Sequence, residues 1–338
     1  MNSSLHLTMV CLLGAPLAGC TGSINRVTTN RIIPAMMQIP DISLACTFGQ
    51  TAVGGAASIK PGDPPQKAAL LAWAASGMCA EIDARSARLD SQVFLKNLDN
   101  PGRAQLSTDA RIRSEREYAL AASRFYAAYR LTVETYGLEC DKLKTKDEAL
   151  YLLGLIVGDL ALISDAAAGN PLGIPQNTIL DVGRGAKCLD DDQWWGVPNA
   201  LQAAAWATVP GSAPETVDPW QMLEDAAEVG DQSGVRIARA LQVFTAANAG
   251  REDTLKQAII AHGQARDAGA PDENWVLLDE YALSVSMFES DQLWIQAEGH
   301  RTERFGTIPG QSDVGVDPFG TPDPFGAPPP PPLDEETQ

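Results

Sequence analysis

Histidine is almost absent from this chain: only His6, His262 and His300 occur. His6 falls in the leading apolar segment. His262 stands three residues after Ile259 on an apolar helical stripe, where a histidine reads as a core or edge residue rather than a ligand. There is no HExxH, no GxSxG, no Walker loop and no GxGxxG after a strand pattern. These absences remove the zinc-peptidase, serine-hydrolase and nucleotide-binding readings that such motifs carry. No metal and no cofactor is expected, and an enzyme is not the favoured class. Basic residues are scarce too: 25 Lys and Arg stand against 43 Asp and Glu, a formal net charge of −18. A surface that acidic repels nucleic acid phosphates and anionic lipid headgroups alike. Aromatics make up only 6% of the chain, and no alternating strand pattern appears after residue 60.

What fills the 338 residues is largely alanine-rich apolar sequence, 45% of the chain, enough for a core of close-packed helices. Leu5 to Leu17 is apolar but short for a bilayer span, and it ends Leu17-Ala18-Gly19-Cys20. That ending resembles a bacterial lipobox. It implies a signal peptide over 1–19 and Cys20 as the lipid-bearing first residue, tethered in the cell envelope; Thr21 after it favours the outer membrane. Four further cysteines, Cys46, Cys79, Cys140 and Cys188, then read as two disulfides in an exported chain. The pairing Cys46–Cys79 with Cys140–Cys188 closes the shorter loops.

Residues 20–64 read as a polar, Gly/Pro-punctuated tether. Residues 65–304 read as a helical-repeat domain of stacked antiparallel helical hairpins, with helices near 66–90, 108–136, 146–168, 177–189, 197–208, 219–229, 233–249, 251–268 and 273–302. Thr145-Lys-Asp-Glu148 has the form of a capping box, and Asp218-Pro219 that of an N-cap followed by a proline at the first helical position. From residue 305 proline becomes dense, DPFG recurs at Asp317 and Asp323, and prolines run from Pro328 to Pro332. This 305–338 segment reads as a disordered, Pro-rich spacer.

Three features invite a functional reading. Ala149 to Ile163 is apolar apart from glycines and Asp159, so Asp159 is expected buried, paired to Arg184 or Arg236, or else facing a ligand. Gly154 and Gly158, one turn apart, should let a neighbour approach. Asp190-Asp191-Asp192 lacks the alternate spacing of a calcium loop and reads as a solvated helix end. Trp194, Trp195, Trp206 and Trp220 crowd one stretch, either as interhelical core or as the lining of an apolar cavity.

The order ALYLLGLIVGDLALISD, TILDVGRGAKCLDDDQWWGVPNALQAAAWATVPG, then WQMLEDAAEVGDQSGVRIARALQVFTAANAGREDTLKQAI, over roughly 66–270, resembles the T-component (TatT) lipoproteins of tripartite ATP-independent periplasmic (TRAP) transporters. The resemblance implies degenerate TPR-like helices in a superhelix, a possible homotrimer, an apolar cavity, and docking to an extracytoplasmic solute-binding protein. The expected role is a membrane-anchored accessory scaffold that holds a hydrophobic ligand. A general envelope adaptor without ligand is the alternative.

Overall fold

A computed structural model describes residues 18–57, 66–96 and 101–310. Residues 1–17 of the expected signal peptide (1–19) and the proline-rich run from 311 lie outside the described residues. The described chain is all-α, with no strand among those residues. Its helices are α1 (Ala18–Val27), α2 (Ile33–Met37), α3 (Ile42–Ala57), α4 (Gln66–Leu95), α5 (Pro101–Tyr136), α6 (Glu148–Ala167), α7 (Thr178–Ala186), α8 (Val197–Thr208), α9 (Pro219–Ser233), α10 (Ile237–Asn248), α11 (Glu252–Ala268) and α12 (Val276–Glu298).

The lead departs from the expected irregular tether. α1, a wide-turn segment Thr28–Ile32 and α2 form a nearly continuous helical path, and the Thr28 and Thr29 hydroxyls donate back to the Ile24 and Asn25 carbonyls. Ile33, Met36 and Met37 then bury in the main core. Sequence reading missed this because glycine and proline punctuate the segment, while its burial comes from distant helices. The far boundary also moves. Ile308 is buried and Phe305 packs beside it on α10 and α11, so the folded body runs past residue 304.

From α4 onward each helix packs against its chain neighbour, as short connections dictate. The local signals work as chemistry predicts at several ends. Asp218 caps α9, accepting from the Trp220 and Gln221 amides at 2.9 and 3.4 Å. The expected capping box resolves differently: Thr145–Asp147 is a single 3₁₀ turn, and Asp147 pairs with Lys67 of α4. The 145–167 stretch is long and apolar enough to cross a membrane, but 78% of its most apolar window is buried inside the fold, the mark of a core helix.

One relationship is not local. Tyr281 hydroxyl donates to Glu81, Gln92 donates to Gln292, and Lys96 donates to the Gln296 carbonyl. Gln92 and Gln292 are 3.1 Å apart. The partners keep a constant offset along both helices, so α12 runs parallel to α4 and closes the last helix onto the first long one. Arg236, 1% exposed, secures the same end of the chain: its guanidinium meets Asp279 of α12 at 2.9 Å and donates to the Ala265 and Gly269 carbonyls.

Candidate functional site

The closure of α12 on α4 leaves a cleft of about 600 Å³, within the range of small-molecule sites. About half of its lining is apolar: Leu162 and Ile163 of α6, Ile179 of α7, Phe244 of α10, Leu255 of α11 and Phe288 of α12. Amides from Gln176, Asn248, Gln292 and Gln296 join them, and five charged side chains reach in: Glu81, Arg85 and Arg88 of α4, Asp159 of α6 and Glu289 of α12.

Two of the charges satisfy each other. Arg85 meets Glu81 at 2.7 Å, one helical turn apart, and its guanidinium lies 5.7 Å from the Tyr281 and Phe288 ring centres. One Arg85 nitrogen, NH1, is nevertheless buried without a hydrogen-bond partner. Glu289, 6% exposed, accepts from Gln292 at 2.7 Å. Burial pushes its carboxyl up to about 7, although Arg85 pulls it the other way. Asp159 differs in kind. It is 5% exposed, lines the cleft, and makes no hydrogen bond or ion pair with any described residue. Burial alone raises it to about 7. Neither expected partner is free: Arg184 pairs with Asp181 at the surface, and Arg236 is held by Asp279. Of the two alternatives open for Asp159, the geometry leaves the one facing a cavity.

The tryptophans are elsewhere. Trp194 and Trp195 are 5% and 8% exposed, and with Trp275 at the start of α12 they form an edge-to-face cluster with ring centres 4.8 to 5.8 Å apart. Trp194 Nε1 donates to Glu148 at 3.1 Å. Trp206 is half-buried on α8, and half-buried Trp220 carries Arg251 4.3 Å above its ring. None of the four lines the cleft; of the two readings open for them, Trp194 and Trp195 take the core one. Gly196 follows the pair with a left-handed φ of 76°, and a side chain there would overlap the Ala226 carbonyl. The aspartate run serves the same turn. Asp190 accepts from the Gln193 amide at 2.8 Å and Asp191 from the Asn199 amide at 2.9 Å, while Asp192 stays exposed. No group of three or more His, Cys, Asp or Glu among the described residues could hold a metal ion.

Of the cysteines, Cys140 and Cys188 form the expected disulfide, with Cα atoms 5.1 Å apart. Cys46 and Cys79 are thiols rather than a bond, but they hydrogen-bond each other where α3 crosses α4. Cys20 lies in the first turn of α1, and its side chain is outside the described residues. Sequence reasoning missed Glu289 and Trp275. Glu289 carried only a weak signal, an acid directly after Phe288 with Asp291 two residues on.

No protein-family model matches the chain, and neither a curated protein nor a solved structure matches it. Among the described residues, the fold and the cleft define an all-helical protein with a cleft of mixed apolar and polar lining that includes the unpaired Asp159 carboxylate.

Proposed function

We propose that this chain is a membrane-anchored binding protein of the bacterial cell envelope that holds a small amphiphilic ligand in the cleft between α4, α6, α10 and α12. The observation that carries this reading is the cleft itself: about 600 Å³, a lining about half apolar, and a buried carboxylate with no protein partner. A buried charge is retained at a cost of several kcal/mol where something outside the chain completes it. Cys20, the lipobox-like ending before it and the disulfide Cys140–Cys188 support an exported, tethered setting. In that setting the accessory role expected from the T-component resemblance is the wider proposal: the protein docks an extracytoplasmic solute-binding protein, as a homotrimer, and exchanges ligand with it.

Native mass spectrometry after mild extraction tests the reading. A bound small molecule lost on Ile163→Trp, which fills the cleft, supports it. A protein that carries nothing, and takes up no amphiphile when challenged, overturns it. Release of the Cys20→Ser variant in soluble form tests the anchor separately, and a pull-down from membranes tests the solute-binding partner.

A further inference from the structure

The charged lining of the cleft narrows the ligand class, on the reading that the cleft is a binding site. Its charged lining is three acids against two bases: Glu81, Asp159 and Glu289 against Arg85 and Arg88. Glu81 and Arg85 cancel, and Arg88 is exposed at the rim. What remains is Asp159, which has no partner, while Glu289 accepts from the Gln292 amide and also feels the Arg85 and Arg88 charges.

The helix directions add to this. The last turns of α6, α8, α10 and α12 all contribute lining residues: Ala167, Thr208, Asn248 and Gln296. Helix C-termini carry partial negative charge, roughly half an elementary charge each. α7 and α11 present their first turns, through Ile179 and Leu255, and α11 bears Glu252 and Asp253 in that turn. The balance of dipoles and side chains is negative.

We propose that the cleft binds an organic cation with an apolar body, an amine or quaternary ammonium whose head lies against Asp159 while its chain lies along Leu162, Ile163, Phe244 and Phe288, with Glu289 adding negative charge to the same lining. A free metal ion does not fit two carboxylates in an apolar shell. An anionic amphiphile would set a second negative charge beside Asp159. A neutral one would leave that carboxylate buried and unpaired. The cation is the head group that completes the site.

The experiment is calorimetric titration of the full-length protein with three probes of equal chain length, each below its micelle concentration: decylamine, decanol and decanoate, at pH 8. Decylamine should bind at least tenfold tighter than the other two. Asp159→Asn, whose fold is checked by circular dichroism, should remove that preference while decanol binding stays within a few-fold. Glu289→Gln should weaken decylamine by a smaller factor. Lowering the pH to 6 should weaken decylamine binding in the wild type, because Asp159 and Glu289 then take up protons. The other charged or titratable groups facing the cleft are Glu81 and Arg85 of α4, which pair with each other and with Tyr281, Arg88 of α4, and Tyr118 of α5, whose hydroxyl is pushed up by burial. α7, α8, α10 and α11 contribute none.

Decanoate binding as tightly as decylamine, or an unchanged preference in Asp159→Asn, overturns the cation assignment and leaves the cleft as a binding site. Binding of no probe, or binding that survives Ile163→Trp, overturns the site and the assignment together.

Discussion

Gly154 of α6 lies against Thr132 of α5 with no room for another carbon: a Cβ at 154 would overlap the Thr132 hydroxyl and methyl. Gly158, one turn on, meets the Tyr129 ring in the same way. The glycine pair therefore admits two side chains of α5 rather than a neighbouring backbone. Gly154→Ala should destabilise the fold by about 1–3 kcal/mol, the usual cost of overpacking a rigid core. Gly269→Ala is the control. Gly269 is extended, with φ of −155°, and has open space around its Cβ position. Urea denaturation of both variants decides it; equal midpoints would contradict the packing described for α5 and α6.

The Cys140–Cys188 bridge spans a sequence separation of 48 residues and ties the turn after α5 to the end of α7. Loop-closure entropy for that length is worth about 4 kcal/mol as a ceiling. The double variant Cys140→Ser/Cys188→Ser should fold with a melting temperature lowered by several degrees. A wild-type protein insensitive to reductant would mean that the bridge carries no stability.

Cys46 and Cys79 share one hydrogen bond between sulfurs. It holds the proton on Cys46 and raises that thiol, while it lowers Cys79. The more acidic Cys79 is the nucleophile of the pair. In an oxidising compartment, transfer of both electrons to a disulfide oxidant converts the two thiols to a disulfide and ties α3 to α4. Protein purified without reductant should then show no alkylatable thiol among Cys46, Cys79, Cys140 and Cys188 by intact mass. Finding two alkylated cysteines at 46 and 79 would mean that the pair stays reduced.

How much of this was legible follows from where each constraint originates. The antiparallel hairpins follow from chain-local signals: Asp218 and Pro219 starting α9, and Gly250 with φ of 66° just before α11. Asp159 was visible as a carboxylate in an apolar helix. Its loneliness was not, because Arg184 and Arg236 are claimed by Asp181 and by Asp279, the latter on a helix far along the chain. The cleft is less legible still. It exists because α12 runs parallel to α4, through Gln92 with Gln292 and Glu81 with Tyr281, and no local pattern encodes a pairing 200 residues apart. The tryptophan pair stayed ambiguous for a related reason: what makes it core is Trp275, outside the crowded stretch.

Three strongly shifted buried groups, of two kinds, make opposing contributions to the pH dependence of stability. Asp159 and Glu289 each have a folded value raised to about 7, against about 4 in an unfolded chain. The folded state holds protons that the unfolded state has shed, so their contribution is intact at pH 4 and lost as pH rises through 7. His262 works in the opposite sense. Burial, with Arg266, Arg236 and Arg239 nearby, lowers it to about 3, and its Nδ1 lies 2.8 Å from the Ser286 hydroxyl. Its contribution is present above pH 6.5 and lost as pH falls toward 3. Between about pH 4 and 6.5 two carboxylates oppose one imidazole, so the unliganded protein should lose stability as pH rises across that window. Asp159→Asn removes one of the two. It should raise stability at pH 8 by up to about 4 kcal/mol, the limit set by the three-unit difference in pKa, and leave pH 4 unchanged. Thermal melts at the two pH values measure this directly. A variant no more stable than wild type at pH 8 would mean that Asp159 is already compensated, and the cleft would lose its unpaired charge.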